Sequence, residues 1–297
     1  MIDIRLKVFR SVALNLSFTK AAQELFISQP AISKHVSELE SEFNTRLVNR
    51  QGNRISLTSD GQVLLDHCEK IIKEYQKLDY DMNALRNRFQ GELRIGASTT
   101  IAQYVLPEIL SKFIAKYPQF KINMFSGNSC EVENAILNDR VDVGMVEGVI
   151  RQPQLQYSAF MKDELVAIVA SGSNYADMDE VTVRQLKDIP IVLRERGSGT
   201  LDVIERALKG KKMQLSDMNV LMYFGTTEGI KHFVESSDCM GIVSVRAVSR
   251  ELVNGIFKVI DIKDLVISRI FSFAEKRGET SGPQRLLKQF ITDNYRL

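Results

Sequence analysis

Apolar positions along the chain change their period twice. Up to about Thr58 they come in short helical bursts, as where Ile32, Val36 and Leu39 recur at four and three residues, the stripe that one helix face buries. Between residues 59 and 90 the spacing becomes one sustained seam. Leu64, Cys68, Ile71, Tyr75, Leu78, Met82, Leu85 and Phe89 are separated alternately by four and three residues. No proline or glycine interrupts them after Gly61, and Glu69, Lys70, Lys73, Glu74 and Lys77 fill much of the rest, as a solvated coiled-coil exterior requires. From Gly91 onward, β-rich runs at 92–95, 121–126, 141–146, 165–170, 189–193, 241–245 and 270–274 alternate with segments of helical period. The larger part therefore reads as α/β, preceded by a small helical region and a long linker helix.

Local signals sharpen the first region. Ser17-Phe18-Thr19-Lys20-Ala21-Ala22 opens with hydroxyl caps and carries small residues where a neighbouring helix can approach. Ser28 caps a second helix whose first turn holds Gln29 and Pro30, where proline is tolerated because those amides have no intrahelical partner. With Ile32, Val36 and Leu39 turned to the core, the opposite face presents Gln29, Ser33, Lys34 and Ser37, groups able to hydrogen-bond base edges or phosphates in a major groove. Arg46, Arg50 and Arg54 flank the turn signal Gln51-Gly52-Asn53, and residues 55–58 alternate like a short strand, which adds a wing to a helix-turn-helix. A helical hairpin used for protein contact is the plainer alternative.

Charge agrees with the first reading. The whole chain carries only +2, but residues 1–58 hold 8 Lys and Arg against 5 Asp and Glu, whereas residues 91–297 balance at 26 against 26. The excess lies where phosphate contact would need it.

Taken together, the N-terminal residues resemble the LysR-type transcriptional regulators of bacteria. Ser17-Phe18-Thr19, Ala21-Ala22, Ser28-Gln29-Pro30, Leu39-Glu40 and Leu57-Thr58-Ser59-Asp60-Gly61 follow that family's signature in order. The resemblance implies contact with double-stranded promoter DNA by Thr19, Ser28, Gln29, Pro30, Ser33 and Lys34, with Arg50 and Arg54 on phosphates. Three positions depart from the pattern. Asn44 stands where glycine is usual and is the next best residue for a left-handed helix end; Val48 replaces phenylalanine; Leu16 replaces glycine with no evident compensation.

Residues 1–58 are thus expected to form a winged helix-turn-helix domain and 59–90 a dimerisation helix. At ~1.5 Å per residue that helix would run about 45 Å, too long for one small domain to cover. Leu64, Ile71, Tyr75, Leu78, Met82 and Leu85 would form the seam of a homodimer, which the resemblance extends to a tetramer, with RNA polymerase as a further partner. A single helix lying along its own effector domain is the alternative.

In residues 91–297, Ser98, Thr99 and Thr100 follow a strand and open a helix, where unpaired amides attract anions. Similar openings recur at Asn128-Ser129 and at Ser198-Gly199-Thr200; each taken alone is more often an ordinary βα turn capped by a hydroxyl. The resemblance continues through Tyr117-Pro118, Val141-Asp142-Val143-Gly144 and Gly241-Ile242-Val243-Ser244, and covers essentially the whole chain. It implies an effector-binding domain like type 2 periplasmic binding proteins, with two α/β subdomains, 91–161 plus 268–297 and 162–267, joined by crossover strands near 160–163 and 266–269. Ser98, Thr99 and Thr100 would face Ser198, Gly199 and Thr200 across a cleft, with Asn128, Ser129, Thr226 and Thr227 at its margins, around a small anionic metabolite. Glu147 and Arg194 end strands, and charges there are usually solvated.

Other classes fit less well. His35, His67 and His232 are isolated, and no HExxH, GxSxG or GxxxxGK[ST] pattern occurs, so catalysis has no visible machinery and no cofactor or metal is expected. Cys68, Cys130 and Cys239 are odd in number and far apart, against a disulfide frame or structural zinc. No apolar run reaches the ~18 residues of a bilayer span, and the start MIDIRLKVFR lacks a signal-peptide pattern, so the expectation is a cytoplasmic protein and not a transport receptor.

Overall fold

The structure, a computed structural model of the 297-residue chain, describes residues 3–51, 54–85, 90–278 and 282–295. Contacts divide the chain into two compact units, residues 1–88 and 89–297.

In the first unit, α1 (Ile4–Asn15), α2 (Phe18–Leu25) and α3 (Gln29–Glu42) are followed by the hairpin β1 (Val48–Gln51) and β2 (Arg54–Leu57), then by α4 (Ser59–Ala84). Hydroxyls set the helix starts. Ser17 accepts from the Lys20 amide at 3.2 Å, Ser28 from Ala31 at 3.4 Å and Thr58 from Gly61 at 2.9 Å, each meeting an amide that the helix itself leaves unpaired. Phe9, Val12, Phe18, Ala21, Ile32, Val36, Leu39, Leu47 and Val48 bury together as the core. Two motif residues hold the wing to it. The Glu40 carboxylate accepts from the Leu47 and Val48 amides at 2.9 and 3.3 Å, and a Cβ at Gly61 would collide with the Leu47 carbonyl oxygen, so only glycine lets α4 start against that strand.

Residues Leu16, Phe26 and Asn44 follow α1, α2 and α3 in the left-handed region, at φ 45°, 55° and 49°. Asparagine tolerates this; leucine at position 16 does so under strain. On α4 the seam divides. Cys68 is fully buried and Leu64 half-buried against the core of their own unit, so the first two seam positions, expected to face a second chain, are used within this one. Ile71, Leu78, Met82 and Leu85 are exposed, at 47–80%. Phe89, the last seam position read from the sequence, lies outside the described residues.

The second unit contains β3 (Gly91–Ser98), α5 (Thr99–Tyr104), α6 (Leu106–Lys116), β4 (Phe120–Gly127), α7 (Ser129–Leu137), β5 (Val143–Val146) and the long β6 (Leu155–Ala170). There follow β7 (Glu180–Val181), β8 (Ile191–Arg194), α8 (Gly199–Gly210), β9 (Val220–Phe224), α9 (Thr227–Glu235), β10 (Met240–Ser244), α10 (Val245–Val253), β11 (Phe257–Ile262), β12 (Ile267–Lys276) and α11 (Gly282–Asn294). The sheet runs β4-β3-β5-β12-β6-β10-β8-β9, with β11 on β6 and β7 on β11.

Two parallel groups, β4-β3-β5 and β10-β8-β9, are thereby joined through an antiparallel pair. β6 and β12 pair from Leu165↔Ile267 to Leu155↔Lys276; β5 attaches at Ser272–Ala274 on β12 and β10 at Leu165–Ile168 on β6. Each group buries its own apolar set, one around Val132, Ile136 and Val146, the other around Leu165, Leu193, Ile204 and Ile242. The sequence pattern missed β9, β11 and the two-residue β7. In β9, Leu221, Met222 and Tyr223 are exposed at 41–50%, so no buried alternation marks the strand.

Candidate DNA-reading and ligand-binding sites

The exposed face of α3 is set by what the other face buries. With Ile32, Val36 and Leu39 at 0–1% exposure, Gln29, Pro30, Lys34 and Ser37 are left in solvent and Ser33 half-buried beside them. Thr19 is exposed on α2. Lys34 stands 3.9 Å from Glu38 one turn on, an exposed pairing that leaves the ammonium free to move to a phosphate. The side chains of Arg50 and Arg54, and the turn at 52–53, lie outside the described residues.

In the second unit, a buried polar cluster collects where the two strand groups meet. Ser98, Thr100, Ser198, Thr200 and Thr227 are 1–2% exposed, Thr99 8% and Ser129 5%. Arg194 donates to Thr99 Oγ1 at 2.7 Å and Thr227 Oγ1 at 3.4 Å, and its remaining donors reach Glu195 and the Gly225 carbonyl. Arg269, on β12, donates through Nε to Asp163 at 2.7 Å and through Nη1 to Thr200 Oγ1 at 2.8 Å, with Glu147 at 3.3 Å. Ser98 hydrogen-bonds the other Glu147 oxygen, and Ser244 donates to Asp163 at 2.7 Å.

These contacts correct the solvated reading of Glu147 and Arg194, which are 2% and 1% exposed. Their charge is held in place by opposite charges and hydroxyls. The arrangement is closed to water yet not fully satisfied, for Arg269 Nη2 and Ser129 Oγ are buried without a partner among the described residues. Gly199 acts by absence of a side chain: a Cβ there would fall 2.5 Å from the Gly148 amide and 2.7 Å from Ser129 Oγ. Asn128 caps α7 in a reciprocal box with Glu131, and Thr226 is exposed, accepting from Gly229 to cap α9; both side chains serve helix ends.

Sequence reasoning missed Arg269 and Asp163. The signal lay in the two-residue period of a strand: Arg269 shares its face with Ile267, Phe271 and Phe273, and Asp163 with Met161, Leu165 and Ala167, all buried. A charge on an apolar strand face has to find a buried partner. No group of three His, Cys, Asp or Glu among the described residues is arranged to hold a metal ion.

A helix-turn-helix head with a wing, followed by an α/β unit with a polar cluster between two strand groups, is the architecture of a ligand-responsive regulator. Comparison with known proteins fixes the family. Residues 4–62 match the family described as bacterial regulatory helix-turn-helix protein, lysR family, and residues 86–296 match the LysR substrate binding domain. The chain belongs to the LysR family of transcriptional regulators. Similar proteins include the HTH-type transcriptional regulator CysL of Bacillus subtilis (strain 168), 28% identical over 268 residues, 90% of this chain and 89% of that one. An uncharacterized HTH-type transcriptional regulator, YeiE, of Escherichia coli (strain K12) is 32% identical over 251 residues, 84% and 83% of the two chains.

Solved structures with the same fold include a full-length, singly substituted OxyR from Pseudomonas aeruginosa, with TM-score 0.72, 19% identity and coverage of 99% and 97%. Full-length CbnR complexed with its target DNA has TM-score 0.66 and 17% identity, with 99% of each chain covered. The regulatory domain of CcmR from Synechocystis PCC6803 in complex with 2-PG has TM-score 0.63 and 23% identity, covering 69% of this chain and 98% of that one. No helix among the described residues is long and apolar enough to cross a membrane.

Proposed function

We propose that this regulator reads promoter DNA with the free face of α3 and responds to a small anionic metabolite held at the Ser98–Thr200–Arg269 cluster. Gln29, Ser33 and Lys34, with Thr19, Ser28 and Pro30 beside them, supply base-edge and phosphate contacts, and Arg50 and Arg54 supply backbone contacts from the wing. CbnR, of the same fold, is known in complex with its target DNA, and the CcmR regulatory domain with 2-PG. Residues 1–58 form the reading head, 59–90 the dimerisation helix, and 91–161 plus 268–297 and 162–267 the two subdomains. The chain acts by binding and not as an enzyme.

One observation carries the ligand reading. Arg269 is 5% exposed, donates through Nη1 to the buried Thr200 hydroxyl, and keeps Nη2 without a partner among the described residues. A guanidinium with a spare N–H is suited to a carboxylate or phosphate oxygen. Glu147 now takes the Ser98 hydroxyl and stands against Arg269, so an arriving anion must displace that carboxylate or lie against it. Displacement gives the ligand two structures to choose between, which is what coupling to the DNA heads of a homodimer or tetramer requires; RNA polymerase would receive the change at the promoter.

The test separates the two surfaces. Ser33→Ala or Gln29→Ala should weaken operator preference and leave anion binding intact, while Thr100→Val should do the reverse. Binding of operator fragments and calorimetry with small carboxylates and oxyanions check both; equal loss of both activities in one variant refutes the division.

A further inference from the structure

A groove of about 530 Å³ opens on the second unit where the end of α8 meets the turns beside β7 and β11. Its lining is strongly basic. Arg184 and Lys187 come from the 3-10 turn before β8, Lys211 and Lys212 from the end of α8, and Lys263 from the turn after β11, with Asp264 the acidic residue among its lining groups. The anion cluster lies elsewhere. Ser198 and Thr200 stand at the start of α8, and Lys211 follows its other end, roughly 18 Å away along 12 residues of helix.

Composition does not account for this gathering. Residues 162–267 hold 14 Lys and Arg against 16 Asp and Glu, so an even share would leave the groove near neutral, yet its lining has five bases and one acid, a charge of +4. Nor are the bases paired off. Arg184, Lys211 and Lys212 have no ion pair among the described residues, and Lys187 and Lys263 reach Asp217 and Glu180 at 3.8 and 3.6 Å in exposed pairs that hold little energy. Cations at the carbonyl end of a helix are ordinary, which covers Lys211 and Lys212. Arg184, Lys187 and Lys263 belong to other segments, and their charges repel across the same opening. Backbone hydrogen bonds keep the segments together: the Lys263 amide donates to the Val181 carbonyl at 2.8 Å and the Met213 amide to the Leu208 carbonyl at 3.0 Å.

The geometry points to a binding site for a short phosphate chain, as in tripolyphosphate or the tail of a nucleotide, held by Arg184, Lys187, Lys211, Lys212 and Lys263. Several negative charges in one compact ligand answer several cations drawn from three segments, where a single carboxylate would leave most of them repelling. A guanidinium takes two oxygens of one phosphate, and the ammonium groups act as point charges on the others. The volume lies within the range of small-molecule sites, and Val183 and the buried Met213 give it an apolar floor.

The experiment titrates the full chain with sodium tripolyphosphate, ATP and adenosine, read by calorimetry and thermal unfolding, against sodium sulfate of equal ionic strength. Tripolyphosphate and ATP should bind saturably and adenosine should not. Tighter binding of ATP assigns the nucleoside to the Val183–Met213 floor, and equal or tighter binding of tripolyphosphate assigns the chain alone; both support the site. Arg184→Gln/Lys211→Gln/Lys212→Gln should weaken binding by roughly tenfold or more, since three charge-assisted contacts are lost, and should unfold as wild type does without ligand, since all three side chains are exposed. Lys34→Gln on α3, Ser98→Ala in the anion cluster and Lys162→Gln/Arg250→Gln elsewhere on the second unit should leave tripolyphosphate binding unchanged. Absence of saturable binding, an equal response to sulfate, equal affinity in the triple variant, an equal loss in any of the other variants, or a triple variant that loses as much affinity for a random-sequence DNA duplex would each overturn the assignment.

Discussion

Replacing Arg269 with methionine tests whether the buried cluster is organised around that guanidinium. The substitution keeps an unbranched stem that can still lie by the Phe271 ring, whose centroid is 5.1 Å from the guanidinium carbon, but removes the charge between Glu147 and Asp163. Both carboxylates are buried, at 2% and 6% exposure. Removing one partner of a buried ion pair costs about 3–5 kcal/mol. Here Glu147 keeps the Ser98 hydroxyl, and Asp163 keeps Ser244 with Arg246 at 3.6 Å, so the lower end, about 3 kcal/mol, is expected. For a unit of this size that corresponds to a fall of roughly 6–12 °C in the unfolding temperature. Scanning calorimetry of the full chain should show it. Lys263→Met, at an exposed pair 3.6 Å from Glu180, serves as the control and should change stability by less than about 1 kcal/mol. Adding Glu147→Gln and Asp163→Asn to Arg269→Met should restore much of the loss. If Arg269→Met costs no more than the Lys263 control, the cluster is not held by charge and its role as an anion receiver fails with it.

Further outcomes follow from single residues. Leu16→Gly should stabilise the first unit by up to about 1 kcal/mol, because φ 45° strains leucine and the exposed side chain contributes little, though glycine's freer unfolded chain offsets part of the gain; thermal unfolding decides it. Gly199→Ala should destabilise the second unit by about 1–3 kcal/mol and weaken anion binding, because its Cβ would press the Gly148 amide apart; unchanged unfolding and binding would contradict the close-packed joint. Thiol titration of the native chain should label exposed Cys130 rapidly, whereas Cys68, which burial pushes up to about 11, and buried Cys239 should react only on unfolding. Asp202→Asn should raise stability more at pH 7 than at pH 3. The raised carboxyl holds its proton more tightly in the fold than in the unfolded chain, so its stabilising effect is present below the ordinary carboxylate range and lost as pH rises through the shifted value.

The parts of the molecule written in local chemistry were the most legible. Ser17 and Ser28 are found capping the helices whose starts they marked, and Asn44 takes the left-handed end expected of it. A heptad spacing, by contrast, says which residues share a face and not what covers it. Leu64 and Cys68 continue the seam in sequence yet pack on the head beneath them. Strand-end and mid-strand charges were harder still. Nothing local tells that Arg269 meets Asp163, 106 residues away in sequence, or that Glu147 meets Ser98, 49 away, because the antiparallel β6–β12 pair and the parallel β3–β5 pair create those contacts. Gly199 was read as a ligand contact from its place between two hydroxyls. Its structural work is to leave room.

The most direct test of the account is selection of genomic fragments by the full chain at two salt concentrations, with wild type and Ser33→Ala side by side. Wild type should keep a small set of fragments sharing a two-fold related sequence at the higher salt, and the variant should lose that preference while retaining salt-sensitive binding. Equal retention of all fragments by both proteins, or the same preferred set for both, would contradict the assignment of sequence reading to the free face of α3.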